Sequence, residues 1–185
     1  MKNYTQEWNG NMKLNVSNLG KFDLCLEIGC FEGRTSNFIV ENLLSENGTL
    51  LCVDPLLDKY VSDDSELNST ESFFEGQYEK FINNTKDYLG HKIKLYRDIS
   101  SNALKELKKK FSGKISFIYV DGDHRPESVY LDGLDSFDLC SIGGYILFDD
   151  YKWKDTHIGI DKFLSEKNGQ YEEVIRNEQI MIKKL

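Results

Sequence analysis

Short apolar runs alternate with amphipathic stretches along most of this chain of 185 residues. Phe22–Ile28, Thr49–Val53, Lys114–Val120 and Ile142–Phe148 are strand-length and largely apolar, without a polar face. Such strands must be covered on both sides, which is the condition of a parallel sheet between two helical layers. Between them, apolar residues recur at helical spacing. Phe38, Ile39, Leu43 and Leu44 predict a helix from about Arg34 to Leu44, stopped at Asn47-Gly48. Phe81, Ile82 and Leu89 belong to a second, from Phe73 to about Leu89 and closed by Gly90. Ala103, Leu104, Leu107 and Phe111 mark a third; Tyr130, Leu134 and Phe137 mark a fourth, after Pro126. Ile160, Phe163 and Leu164 mark the last, with Asn168-Gly169 at its end.

Lys92–Tyr96 alternates apolar and polar residues and reads as a further strand. Tyr171–Ile175 and Gln179–Lys184 are separated by three residues, too few for a helical crossover, so they pair antiparallel. The expected fold is α/β: a Rossmann-like, doubly wound, mostly parallel seven-stranded sheet with a C-terminal antiparallel β-hairpin. Residues 1–20 are polar and Asn-rich and read as an N-terminal arm, with Trp8 as a packing anchor; residues 21–185 read as one domain. The stretch 56–72 carries Asp58, Asp63, Asp64, Glu66 and Glu71 and is too long for a routine connection, which suggests a lid or an insertion.

The formal net charge of −8 disfavours general binding to a phosphate backbone. Lys105, Lys108, Lys109 and Lys110 form the one basic run, near a helix end where cations favour the dipole. The four cysteines, Cys25, Cys30, Cys52 and Cys140, have no C-x-x-C spacing; they read as reduced core thiols, not as a zinc site. No apolar h-region opens the chain and no apolar run approaches the length of a membrane span, so the expected location is the cytoplasm.

The first strand runs through Glu27 into Gly29-Cys30-Phe31-Glu32-Gly33 and then a helix. A dinucleotide turn wants G-x-G-x-x-G, its second glycine letting the backbone approach a pyrophosphate. Phe31 stands at that place, so the turn suits a cofactor without phosphate, and Glu27 can attract a cation or accept hydrogen bonds from an amine. Asp54 ends the second strand and is placed to accept both hydroxyls of a ribose, or simply to form an Asp-Pro turn. Asp98, Ile99 and Ser100 follow the third strand, beside an adenine edge; Ser100 can instead cap the next helix.

Asp121-Gly122-Asp123-His124 and Asp149-Asp150 end the fourth and fifth strands, so Asp121, Asp149 and Asp150 can converge where such sheets bind ligands. Three crowded carboxylates take up protons or hold a hard cation such as Mg²⁺. His124 can serve as a general base, a metal neighbour or a structural residue at a helix start.

LEIGCFEGRTS, CVDP, YVDGDH and GGYILFDDY, in that order, resemble the class I S-adenosylmethionine-dependent methyltransferases. The chain is similar above all to the small methyltransferase domain with D-G-D-H and G-G-x-x-x-x-D-D, and to macrocin-type and catechol-type O-methyltransferases. The resemblance implies Glu27, Gly29 and Gly33 around the methionine portion, Asp54 on the ribose and Asp98, Ile99 and Ser100 around the adenine. It implies Asp121 beside the methionine or, with Asp149 and Asp150, on Mg²⁺; the catechol-type lysine base has no counterpart at the D-G-D-H strand end, where His124 is the expected substitute, with Asp121 as the other catalytic residue. The implied reaction is methylation of a hydroxyl on a sugar, phenol or other small-molecule acceptor, with a homodimer as one assembly to test. The alternatives are a catalytically silent S-adenosylmethionine-binding module and a nicotinamide-dependent oxidoreductase.

Overall fold

The computed structural model describes residues 2–5, 11–57 and 75–185. Trp8, Phe73 and the acidic residues of the 56–72 stretch lie outside these. A short helix α1 (Asn11–Asn15) is followed by β1 (Phe22–Ile28), α2 (Arg34–Asn42), β2 (Leu44–Val53), α3 (Gln77–Thr85) and β3 (Ile93–Tyr96). Then come α4 (Ser100–Phe111), β4 (Ile115–Val120), α5 (Pro126–Leu139), β5 (Cys140–Phe148), α6 (Thr156–Glu166), β6 (Tyr171–Arg176) and β7 (Ile180–Lys184).

The strands form one seven-stranded sheet in the order β3-β2-β1-β4-β5-β7-β6. β3 to β5 pair in parallel. β7 pairs antiparallel with both β5 and β6, as the short connection requires. From β1 the chain winds outward to β3, then returns to lay β4 on the other side of β1. The connections leaving β1 and β4 therefore diverge, which opens a crevice at the carboxyl ends of these two strands.

The pleat sends alternate residues of each apolar run to opposite layers. Leu26, Ile28, Leu51, Val53, Ile118, Val120, Ile146 and Phe148 pack with Leu104, Leu107, Phe137 and Phe163 from α4, α5 and α6. Cys25, Leu50, Cys52, Phe117, Tyr119 and Leu147 face the other way, onto Ile39 and Val40 of α2, Phe81 of α3 and Met12 of α1. The residues before β1 thus contribute to the core: Met12 and Val16 are buried. The basic run ends α4, where Lys108 pairs with Asp135 and Asp138 of α5.

Several boundaries differ from expectation. The first long helix stops at Asn42, and Leu44 already opens β2. Asn47-Gly48 is no helix stop but lies within β2, where the register jumps from Phe22↔Leu44 to Leu24↔Thr49. The turn signal marks an irregularity in the strand. A Cβ at Gly48 would stand 2.8 Å from the Phe22 carbonyl oxygen, so the fold needs its glycine. β5 starts at Cys140 instead of Ile142, again with a shifted register. α3 ends at Thr85, and Tyr88 and Leu89 turn back on its last carbonyl before Gly90.

α6 packs backbone to backbone on the start of α5: a Cβ at Gly159 would lie 2.1 Å from the Pro126 carbonyl oxygen. Gly159→Ala should therefore force the helices apart and cost about 1–3 kcal/mol of stability, measured as a lower urea midpoint at unchanged slope.

Candidate functional site

The turn after β1 is built on close contact and on unusual backbone. Gly29, Phe31 and Gly33 all have positive φ (83°, 44° and 78°). At Gly29 a Cβ would lie 1.8 Å from the carbonyl oxygen of Asp121, so only glycine lets the ends of β1 and β4 meet. The Asp121 amide donates to the Ile28 carbonyl at 2.8 Å and completes that junction. Phe31 has no such excuse: a bulky residue in the left-handed region costs roughly 1–2 kcal/mol and must be held there.

Asp54 holds it from the sheet side. Its Oδ2 accepts hydrogen bonds from the amides of Cys30 at 2.7 Å and Phe31 at 2.9 Å, and its Oδ1 from the amide of Leu56 at 2.7 Å. Burial pushes the Asp54 carboxyl upward, and these three amides oppose the shift. Each oxygen has two lone pairs: the Cys30 and Phe31 amides fill those of Oδ2, and Oδ1 keeps one with which Asp54 can still accept from a ribose.

Glu27 is fully buried in β1. Ser36 donates its hydroxyl to Oε2 at 2.5 Å and the Cys52 thiol donates to the same atom at 3.5 Å, while Oε1 has no partner among the described residues. Burial lifts the Glu27 carboxyl to about 8 against the opposing pull of Ser36 and Cys52. Ligand atoms of Glu27, Cys30 and Cys52 lie within 4.8 Å of one another. Burial raises both thiols, so they stay protonated and pack as small apolar groups.

Across the Gly29 junction stands a second polar group. His124 Nε2 is 2.9 Å from Asp150 Oδ2 and 3.6 Å from Asp121 Oδ1, yet its N–H is aligned on neither. The three side chains remain 28% to 40% exposed, although His124 Nε2 itself is buried. Burial works to lower the His124 pKa, but the two carboxylates prevail and lift it to about 10. Burial, with Asp149 and Asp150 nearby, raises Asp121 to about 7 in spite of His124. Trp153 meets the imidazole edge-on, with ring centroids 4.7 Å apart. Asp150 itself has φ 52°, a second strained position at the site.

Asp149 is placed differently from its neighbour. Its Oδ2 accepts the Tyr119 hydroxyl at 2.5 Å; its Oδ1 accepts from the Gln179 side chain at 2.8 Å and the Asp150 amide at 2.9 Å. Tyr119 also donates toward Asp121 Oδ2 at 3.3 Å. The group whose ligand atoms lie within 4.8 Å is thus Asp121, His124 and Asp150, with Asp149 outside it.

Asp98 lies at the β3 end and lines a hollow with Tyr96, Arg97 and Asn102. Its Oδ1 accepts from the Ile99 amide at 2.8 Å and Asn102 at 3.2 Å. Ile99 is the N-cap of α4, and no hydroxyl caps that helix. The Ser100 hydroxyl serves buried Asp132 instead.

A family model described as a methyltransferase domain matches residues 26–151, from β1 to just beyond β5. The chain belongs to this methyltransferase-domain family. The matched span contains Glu27, Asp54, Asp121, His124 and Asp150. No curated protein matches the sequence. Among solved structures, the methyltransferase domain superposes on the O-methyltransferase from Bacillus cereus in complex with SAH. That match has a TM-score of 0.63 and 14% identity, over 88% of this chain and 74% of that one. A protein from Corynebacterium glutamicum aligns with a TM-score of 0.58 and 14% identity, over 94% and 81% of the two chains. At that identity the likeness is one of fold.

Sequence reasoning missed four residues that the structure brings to the candidate site or its turn, among them Glu32, whose carboxylate meets Thr5 and Lys80. Ser36 and Tyr119 sit at positions whose pattern says helix and core. Gln179 and Glu32 gain their contacts only through the fold.

The buried Glu27 carboxyl has a pH consequence. Its folded pKa, about 8, lies above the ordinary 4.5, so between these values the folded state binds more protons than the unfolded state. Its contribution to stability therefore falls as pH rises through that window. Glu27→Gln, neutral throughout, should remove this fall. Urea unfolding at about pH 5 and about pH 8.5 should show the variant gaining roughly 3–5 kcal/mol on the wild type at the higher pH.

Proposed function

We propose that this methyltransferase domain moves a methyl group from S-adenosylmethionine to a hydroxyl of a small-molecule acceptor. The observation that carries this reading is the Gly29–Asp121 contact: it sets the glycine turn directly against the cluster of Asp121, His124 and Asp150. A cofactor held by the turn would present its reactive end to that cluster. The bound state of the Bacillus cereus O-methyltransferase, named as a complex with SAH, supports the same cofactor.

The residues of the turn fit it. Glu27 Oε1 is a buried acceptor without a donor among the described residues, and a cationic amine would supply one and draw the carboxyl back to its ionised form. Phe31 stands where a dinucleotide turn has the glycine that lets a pyrophosphate approach, whereas a nucleoside with an amino-acid tail needs no such cradle. Asp54 supplies the carboxylate for a ribose, with Asp98 and Ile99 beyond it on the β3 side.

S-adenosylmethionine supplies a methyl group already activated as a sulfonium; its S–C bond breaks as the acceptor's O–C bond forms. The chain's task is then to orient the acceptor and take its proton. His124 is placed for that proton, but between two carboxylates it is an imidazolium at neutral pH. It becomes a base only where positive charge offsets Asp121 and Asp150. A divalent ion on these carboxylates would meet that need and leave His124 Nε2 its lone pair for the proton; an ion that also took Nε2 as a ligand would remove His124 as the base. The ion would also lower the pKa of a bound hydroxyl. Mg²⁺ suits the two carboxylates; a nitrogen ligand favours Mn²⁺.

Two outcomes are expected. Asp54→Ala should weaken SAH binding in calorimetry by about 10- to 100-fold, the worth of one charged hydrogen bond; unchanged affinity would remove Asp54 from the cofactor site. Dialysis against EDTA should depress methylation of a panel of sugar and phenol acceptors by at least about tenfold, with recovery on adding Mg²⁺ or Mn²⁺. Full turnover after chelation would refute the metal.

A further inference from the structure

Phe31 is held in its left-handed conformation from two sides, and only one of them is the sheet. On the other side stands Glu32, whose side chain is 1% exposed. A buried carboxylate needs partners, and this one takes them from far along the chain. Thr5 donates its amide to Oε2 at 2.7 Å and its hydroxyl to Oε1 at 2.9 Å, and Lys80 of α3 pairs with Oε1 at 3.0 Å. The Glu32 carbonyl accepts from Asn84 at 2.9 Å.

The arm that brings Thr5 is itself fastened. The Asn84 side chain accepts from the Asn3 amide at 2.7 Å and donates to the Asn3 carbonyl at 2.8 Å, as a neighbouring strand would. Asn37 of α2 donates to the Tyr4 hydroxyl at 2.8 Å, and the Arg34 guanidinium lies 5.1 Å from the Tyr4 ring centroid. Residues 3–5 therefore touch the turn, the first part of α2 and α3 together. Asp54 and Glu32 grip adjacent parts of one turn, and Phe31 lies between the grips.

We propose that residues 3–5 belong to the cofactor site: through Glu32 the arm keeps Phe31 in the conformation the cofactor needs. Glu32 and Thr5 are positioning residues that touch no reacting atom. The inference rests on the S-adenosylmethionine reading, and its test separates the two. A glycine at position 31 adopts positive φ without penalty, so it should make the clasp unnecessary.

The experiment is SAH calorimetry on the full chain, with unfolding midpoints recorded for each variant. Thr5→Pro removes both donors, and Thr5→Ser keeps both. Thr5→Pro should lower SAH affinity about tenfold, and Thr5→Ser should retain wild-type affinity. In a Phe31→Gly background, Thr5→Pro should cost less than about twofold, since the strain it released is gone. An equal loss in both backgrounds, or no loss in either, overturns the proposal. Wild-type protein that binds no SAH overturns the underlying reading as well. Amide exchange gives an independent measure: in Thr5→Pro the Cys30 and Phe31 amides should exchange at least about tenfold faster while those of β4 do not change. Unaltered exchange at Cys30 and Phe31 would also count against the clasp.

Discussion

The contact between Gly29 and the carbonyl of Asp121 sets the distances on which the rest of the site depends. Because β1 lacks a side chain there, the end of β4 comes against it, and two polar groups of different character become neighbours. On one side are backbone amides gathered by Asp54 and a buried, largely neutral Glu27. On the other are half-buried acids around an imidazolium. Either group alone would be an ordinary strand-end turn. Their junction, at the point where the strand order reverses, makes a place where one molecule can meet both.

The electrostatics of the acid side are unbalanced without a ligand. Asp121 and Asp150 share one cation, His124, and Asp149 adds charge that Tyr119 and Gln179 offset only by hydrogen bonds. Burial, and to a lesser degree the nearby charges of Asp149 and Asp150, keep the Asp121 carboxyl up near 7 even beside an imidazolium. Negative charge so arranged opposes a phosphate beside it. The chain's acidic balance points the same way.

Much of the architecture was legible because its cause is local. Apolar runs such as Leu50–Val53 reveal two-sided burial, and the three residues after β6 dictate the antiparallel hairpin. The glycine turn, Asp54, Asp121 and His124 were visible as strand-end residues, since residues there face the crevice of such a sheet. Long-range contacts were not legible. Asn47-Gly48 carries the same signal whether it stops a helix or breaks a strand's register; the Phe22 carbonyl decides the matter. Asp149 and Asp150 look equivalent in sequence. Tyr119 and Gln179 engage the first, and the positive φ of the second turns it toward His124.

The position of β7 has a consequence for how the molecule assembles. This strand follows all the others in the chain, yet it lies inside the sheet, between β5 and β6. β6 therefore reaches the sheet only through β7, and the hairpin must dock as a unit on β5. Gln179, just before β7, reaches Asp149 in that same step. Closing the sheet and fixing the acid beside Tyr119 are thus one long-range event, of the kind that slows folding. A polypeptide emerging from the ribosome would display its glycine turn well before its acid cluster took final shape.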